Sequence, residues 1–281
     1  MNIWFPWNPM TKIQVSKFHG CGNDFILTTY EAIKDLDIVK FVQKVCDRHS
    51  GIGADGAIFV KEDPTEMIYY NQDGSRAPMC GNGIRCFAGF CYEEGLHQEK
   101  DLKVQTLAGE KIVHRMSDQP FLVKVDMGFA DYDPQKVGTK KALWNETVDI
   151  DGEKVTLSTF FMSTVHTVLF SEKADTIENR SLGKKICHDP LFAEQTNVNF
   201  VEVMDPNNLK VLTYERGCGI TLACGTGVCA SVLAGYKLGK CSNHVDVHLE
   251  KGIIHIDIDT DERVFMTGPA QCVMKGVYYY D

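Results

Sequence analysis

Met79-Cys80-Gly81-Asn82-Gly83-Ile84 and Ala223-Cys224-Gly225-Thr226-Gly227-Val228 carry the same Cys-Gly-x-Gly step, 144 residues apart. The match extends outward without a gap. Residues 70 to 95 align with residues 214 to 239, pairing Tyr70 with Tyr214, Tyr92 with Tyr236 and Gly95 with Gly239. Asn71 and Glu215 each stand nine residues before their cysteine. A fainter echo sets Gly22-Asn23-Asp24-Phe25 against Ser163-Thr164-Val165-His166, each followed by an apolar, strand-like run. Self-similarity over a long offset points to two copies of one structural unit.

The local pattern says what each copy contains. Met67-Ile68-Tyr69-Tyr70 and Val211-Leu212-Thr213-Tyr214 predict short strands, each followed by a polar turn bearing glycine. After each cysteine the chain turns helical: Ile84, Phe87, Ala88 and Cys91 recur at i, i+3, i+4 and i+7, and Val228 to Leu238 is apolar on nearly every side. A helix apolar all round must be buried, so each half is expected to wrap sheet around a central helix. Phe121–Met127 and Ile253–Ile258 alternate as strands, and the order of elements gives no sign of βαβ crossovers. The fold class that follows is α+β, two pseudosymmetric domains, each a barrel-like, mostly antiparallel sheet around one helix. Gly128 to Trp144 is the best linker.

Each cysteine would open its helix, close to the unpaired amides of the first turn, where partial positive charge collects. A helix terminus worth up to ~2 kcal/mol would bring a thiol from about 8.5 to about 7. The same amides, with Gly81 and Gly225 allowing close approach, make a seat for a small anion such as an amino-acid carboxylate. Two such starts face to face would grip one carboxylate while a sulfur stands on each side of the α-carbon. That geometry performs inversion: a thiolate removes the proton and a thiol on the other face returns one. Amide donors around the carboxylate would supply most of the stabilisation.

Composition narrows the alternatives. A net charge of −9 with no Lys/Arg run longer than a pair excludes a nucleic-acid binder. No apolar stretch is long enough for a membrane span, and Met1–Pro6 lacks the features of a signal peptide, so a cytoplasmic protein is expected. Eleven cysteines, an odd number, fit reduced thiols rather than a disulfide framework. No Cys-x-x-Cys pair suggests a metal. No lysine carries an aldimine signature, and the Gly-rich turns match neither a P-loop nor a dinucleotide fingerprint, so no cofactor is expected. The expected partner is a small-molecule amino acid; monomer and homodimer are both compatible with the sequence.

With these residues in hand, the sequence closely resembles the diaminopimelate epimerases, pyridoxal-phosphate-independent amino-acid racemases and epimerases. The likeness rests on His19-Gly20-Cys21-Gly22-Asn23-Asp24-Phe25, Asp47–Gly56, Asn71-Gln72-Asp73-Gly74-Ser75, Met79–Cys86, Asn197-Val198-Asn199-Phe200, and Tyr214-Glu215-Arg216-Gly217 leading to Ala223–Gly227. What the resemblance implies is epimerisation of LL-2,6-diaminopimelate to the meso isomer, on a two-domain fold whose last strands return to the first half. The first domain would be 1–130 plus about 270–281, the second 131–269. It further implies Cys80 and Cys224 as the two bases, Glu215 and His166 as groups that orient or tune them, and Gly81, Asn82, Gly225 and Thr226 as the carboxylate seat. Asn23, Asn71, Asn199 and Arg216 would bind the rest of the substrate, Arg216 as the fork for a distal carboxylate.

Two departures bear on specificity. Ser163-Thr164-Val165-His166 stands where the family usually reads Gly-Asn-Pro-His, so Thr164 replaces a substrate-contacting asparagine, and Ile220 replaces a glutamate. They leave open racemisation of another amino acid such as glutamate, or a redox-sensing homologue without activity. Outside the resemblance, Asn23, Asn71 and Asn199 read as turn or capping residues, the commoner use of Asn next to Gly or at a strand end, and Arg85, within the first helix, as the partner of a neighbouring acid.

Overall fold

The computed structural model describes residues 10–281. The segment read for a leader, Met1–Pro6, lies outside the described residues. No helix among the described residues is long and apolar enough to cross a membrane.

The first half runs β1 (Thr11–Gly20), β2 (Asn23–Thr29), α1 (Ile38–Cys46), β3 (Gly56–Lys61), β4 (Glu66–Asn71), β5 (Arg76–Ala77) and α2 (Gly81–Glu93), then β6 (Asp101–Val104), β7 (Lys111–Asp118) and β8 (Phe121–Gly128). The second opens with a short helix, α3 (Pro134–Val137), and β9 (Leu143–Ile150). It then repeats the series as β10 (Glu153–Phe161), β11 (Val165–Phe170), α4 (Ile177–Cys187), β12 (Asn197–Asp205), β13 (Asn208–Glu215), β14 (Gly219–Thr221) and α5 (Gly225–Lys237), with β15 (His244–Leu249), β16 (Gly252–Ile258), β17 (Val264–Pro269) and β18 (Gln271–Tyr280) closing the chain.

Strand order makes the duplication explicit. One sheet reads β18-β1-β2-β3-β4-β5, and the other contains the matching row β9-β10-β11-β12-β13 with β14 on β13. The place held by β9 beside β10 is taken in the first half by β18, which arrives from the end of the chain to pair antiparallel with β1. The remaining strands β6-β7-β8 and β17-β16-β15 meet through the β8–β17 pair and join the halves.

The absence of crossovers read from the sequence is corrected. β2 and β3 are parallel and joined through α1, as are β11 and β12 through α4. Both connecting helices are locally well specified. Asp37 caps α1 by accepting from the Lys40 amide, with Phe41, Val42 and Val45 buried beneath; Thr176 caps α4 by accepting from the Asn179 amide. A parallel pair leaves no periodicity of its own, so one crossover among antiparallel strands is invisible in the pattern.

The two central helices are buried on all sides, as their composition requires. One core holds Ile84 and Phe87 of α2 together with Val228 and Leu233 of α5. The helices meet at their first residues: a Cβ on Gly81 would lie 3.3 Å from the Gly225 Cα, and one on Gly225 would lie 3.0 Å from the Met266 sulfur. Glycine at both positions therefore lets the two helix starts touch.

Candidate active site

Cys80 and Cys224 are the N-caps of α2 and α5, both with extended backbone angles. The junction of Gly81 with Gly225 therefore brings one thiol from each half to the same place. The Cys80 sulfur accepts from the Gly83 amide at 3.4 Å and lies 3.7 Å from Asn23 Oδ1. Asn82 ties the halves together, its Nδ2 donating to the Ala223 carbonyl at 2.9 Å and to Asn23 Oδ1 at 3.1 Å. Its Oδ1 is buried with no hydrogen-bond partner among the described residues, an acceptor suited to an ammonium.

The Cys224 sulfur lies 3.5 Å from the Thr226 hydroxyl, behind which runs a relay. His166 Nε2 meets Thr226 Oγ1 at 3.0 Å, Asn199 Nδ2 donates to His166 Nδ1 at 3.1 Å, and the Thr213 hydroxyl donates to Asn199 Oδ1 at 3.0 Å. Because Nδ1 accepts, the proton of a neutral ring is on Nε2, which donates to Thr226 and frees that hydroxyl's proton for sulfur. On its other side stands Glu215, whose Oε1 accepts from Thr221 at 2.5 Å and whose charge acts on the Cys224 thiol.

The electrostatics correct the expectation of a thiol near 7. Burial pushes Cys80 up to about 11 and Cys224 well above its ordinary value. The first-turn amides of Gly83 and Asn82 do pull Cys80 downward, but loss of water outweighs them and Glu215 opposes them. Burial likewise raises Glu215, and brings His166 down to about 3. The resting site therefore holds thiols, with the Glu215 carboxyl favouring the protonated form of Cys224.

One residue changes role, and His166 keeps the tuning role expected of it. Asn199 was expected at the substrate, yet it is wholly buried and fully occupied by His166, the Thr167 carbonyl and Thr213. His166, also wholly buried, has both nitrogens engaged and cannot reach a reacting proton; it positions Thr226. Asn197 was missed. Two residues before Asn199 on β12, it points to the same face one step nearer the opening, where Oδ1 accepts from the Arg216 amide at 2.8 Å and Nδ2 donates to the Val165 carbonyl. Both asparagines stand in one motif, and strand alternation alone does not say which reaches the cleft.

Asn23 also holds Asp55 at 2.7 Å, and Asn71 is fixed between the Tyr69 hydroxyl at 2.7 Å and Ser75 at 3.0 Å. Arg216 is exposed and gives one N–H to the Glu194 carbonyl, leaving the rest of its fork unclaimed by that bond. Thr164 sits half-buried in the turn before β11, after Ser163 in left-handed conformation. Ile220, on β14, packs against the core of the second half instead of offering a polar group. Elsewhere His244, His255 and Asp257 converge within 4.8 Å of one another, but Lys124 and Asp246 already pair with this group, making it an ion-pair network.

Two matched halves that bring a helix-capping thiol from each side to one cleft define the class of the two-domain racemases, epimerases and related isomerases. Solved structures agree on the fold: a probable proline racemase from Agrobacterium radiobacter superposes with a TM-score of 0.69 at 12% identity, over 96% of this chain and 93% of that one. A predicted epimerase from Pseudomonas aeruginosa gives 0.68 at 13%, over 96% and 100%. Within the class, the family model for diaminopimelate epimerase matches residues 15–132 and 160–273. Relatives named diaminopimelate epimerase are 41% identical in Alkaliphilus metalliredigens, over 95% of this chain and 98% of that protein, and 38% identical in Methanothermobacter thermautotrophicus, over 96% and 99%. The chain belongs to the diaminopimelate epimerase family.

Proposed function

We propose that this chain epimerises LL-2,6-diaminopimelate to the meso isomer by proton transfer between Cys80, Cys224 and the substrate α-carbon. The observation that carries this reading is the meeting of the two Cys-Gly starts, which leaves one thiol on each side of a single small anion seat.

The substrate's α-carboxylate takes the first-turn amides of α2 and α5, and the Asn82 Oδ1 left without a partner accepts from its ammonium. Glu215 accepts the Cys224 proton and Thr226 donates to the sulfur, so Cys224 gains thiolate character inside a dry site. One sulfur removes the α-proton as the opposite thiol delivers its own to the other face. Charge passing to the carboxylate is met by amides already in place, which cost no reorganisation at that moment. Arg216, exposed at the rim, and Asn197, buried against its backbone, suit the distal amino-acid group. With eleven unpaired cysteines the enzyme needs a reducing compartment, which supports a cytoplasmic protein.

Thr164 and Ile220 favour, as a second reading, racemisation of a shorter amino acid. The test is NMR of α-proton exchange in D2O under reducing conditions, with LL-diaminopimelate beside a panel that includes glutamate. Inversion of diaminopimelate is the expected result; exchange of glutamate or another single amino acid in its place would overturn the assignment.

A further inference from the structure

Arg85 was expected to pair with an acid, and it does not. It is wholly buried, the largest such side chain among the described residues, and none of the described carboxylates lies within ion-pair distance of it. Its donors go to neutral groups: Nε to the Pro269 carbonyl at 3.1 Å, one terminal nitrogen to the Gly81 carbonyl at 3.0 Å and the Met266 sulfur at 3.6 Å, the other to the Cys21 sulfur at 3.9 Å. The protein is built around this group. A Cβ on Gly20 would lie 2.8 Å from the guanidinium and one on Gly268 would lie 3.0 Å from Nε, so a side chain at either position would press on it.

A buried charge with no counter-charge is costly, and a fold that makes room for one gains from the charge itself. The location says what for. Arg85 stands one helical turn behind Gly81, and Met266, which its guanidinium touches, lies directly beneath the Gly81–Gly225 junction. Around it stand Cys21, Cys80 and Cys86 from the first half and Cys229 from α5; burial pushes each of these thiols up, and the Arg85 charge opposes that rise in all four. Glu215, from β13, also faces Cys80 and acts against the thiolate, and the Cys224 thiol and Tyr69 hydroxyl lie within its field as well.

We propose that Arg85 is the buried counter-charge of the reacting centre, a positioning residue whose guanidinium, one layer beneath the two helix starts, stabilises negative charge as it passes between sulfur and the substrate carboxylate. This rests on the two-thiol reading for its use in turnover. Its effect on Cys80 exists without substrate, where it can be measured separately.

The experiment is the rate of Cys80 alkylation by iodoacetamide between pH 7 and 9, assigned by peptide mass, in the full-length protein. Below the thiol's pKa that rate follows the thiolate fraction. Arg85→Gln should slow it about tenfold, equivalent to a shift of about one pH unit, while Arg85→Lys, which keeps the charge, stays within about threefold of the parent. Cys21→Asp tests the charge with Arg85 in place. Cys21 has a left-handed φ of 53°, which Asp and Asn adopt more readily than most residues, and its sulfur already touches the guanidinium. Cys21→Asp should slow Cys80 as Arg85→Gln does, and Cys21→Asn should not, which keeps the test open if Arg85→Gln fails to fold. Equal slowing by Cys21→Asp and Cys21→Asn, or a folded Arg85→Gln with the parent's rate, would overturn the proposal. If the alkylation result holds and no amino acid is epimerised, the proposed function fails and the electrostatic role stands.

Discussion

Replacing Thr226 with Val keeps its shape and removes the hydroxyl through which His166 acts on Cys224. That hydroxyl lies 3.0 Å from His166 Nε2 and 3.5 Å from the Cys224 sulfur. Hydrogen bonds to charged groups contribute ~1.5–3 kcal/mol, and the distance to sulfur places this one at the lower end, so kcat/KM should fall about tenfold. The ring N–H of His166 is left buried without an acceptor, at a cost of ~1–3 kcal/mol; for a chain of this size each kcal/mol lowers Tm by roughly 2–4 °C. Thr226→Ser retains the hydroxyl and should recover most of both. Steady-state epimerisation in each direction and a thermal melt suffice as assays. A Thr226→Val enzyme within twofold of the parent and with the same Tm, or a Thr226→Ser enzyme as damaged as the valine variant, would refute the relay.

Gly225→Ala pushes a methyl against the Met266 sulfur and the Gly81 backbone, so the two helix starts separate and kcat should drop at least a hundredfold with the fold retained by circular dichroism. Arg216→Met should raise KM for diaminopimelate about tenfold or more with a smaller change in kcat, read from saturation curves. His166 is neutral in the fold and held from its ordinary 6.5 down to about 3, so unfolding at acid pH takes up a proton. Its contribution is fully present above pH 6.5 and is lost as pH falls from there toward 3, roughly 4 to 5 kcal/mol at the bottom of the window. Denaturant titrations of the parent and of His166→Gln across that range should show a shallower acid loss in the variant.

The duplication was legible because it lies in residues with special backbone or chemical duties: the capping cysteines, the glycines that let the helix starts touch, and the apolar helices behind them. Periodicity placed β4, β8, β13, β16 and both central helices. It could not show the parallel pairs β2–β3, β11–β12 and β13–β15, since pairing direction leaves no mark on a single strand. The site was legible at the sulfurs and blurred one layer out. Asn197 and Asn199 share a strand face, and only the assembled fold makes one a partner of Arg216 and the other a prop for His166. Thiol ionisation was misjudged for a related reason: a helix start is visible in sequence, whereas the desolvation that outweighs it depends on how the two halves close over the site. Arg85 reads on a helix as half of an ion pair, and its lack of a counter-charge is a property of the assembled core.

The central claim is that two sulfurs work on opposite faces of one carbon, and the direct measurement is solvent deuterium at the α-carbons of LL-diaminopimelate with the parent, Cys80→Ser and Cys224→Ser. The account predicts inversion with deuterium incorporation in the parent and a loss of inversion of at least a thousandfold in each serine variant, since an alcohol cannot replace the thiolate as base. Inversion at near-parental rate in either folded variant would contradict it.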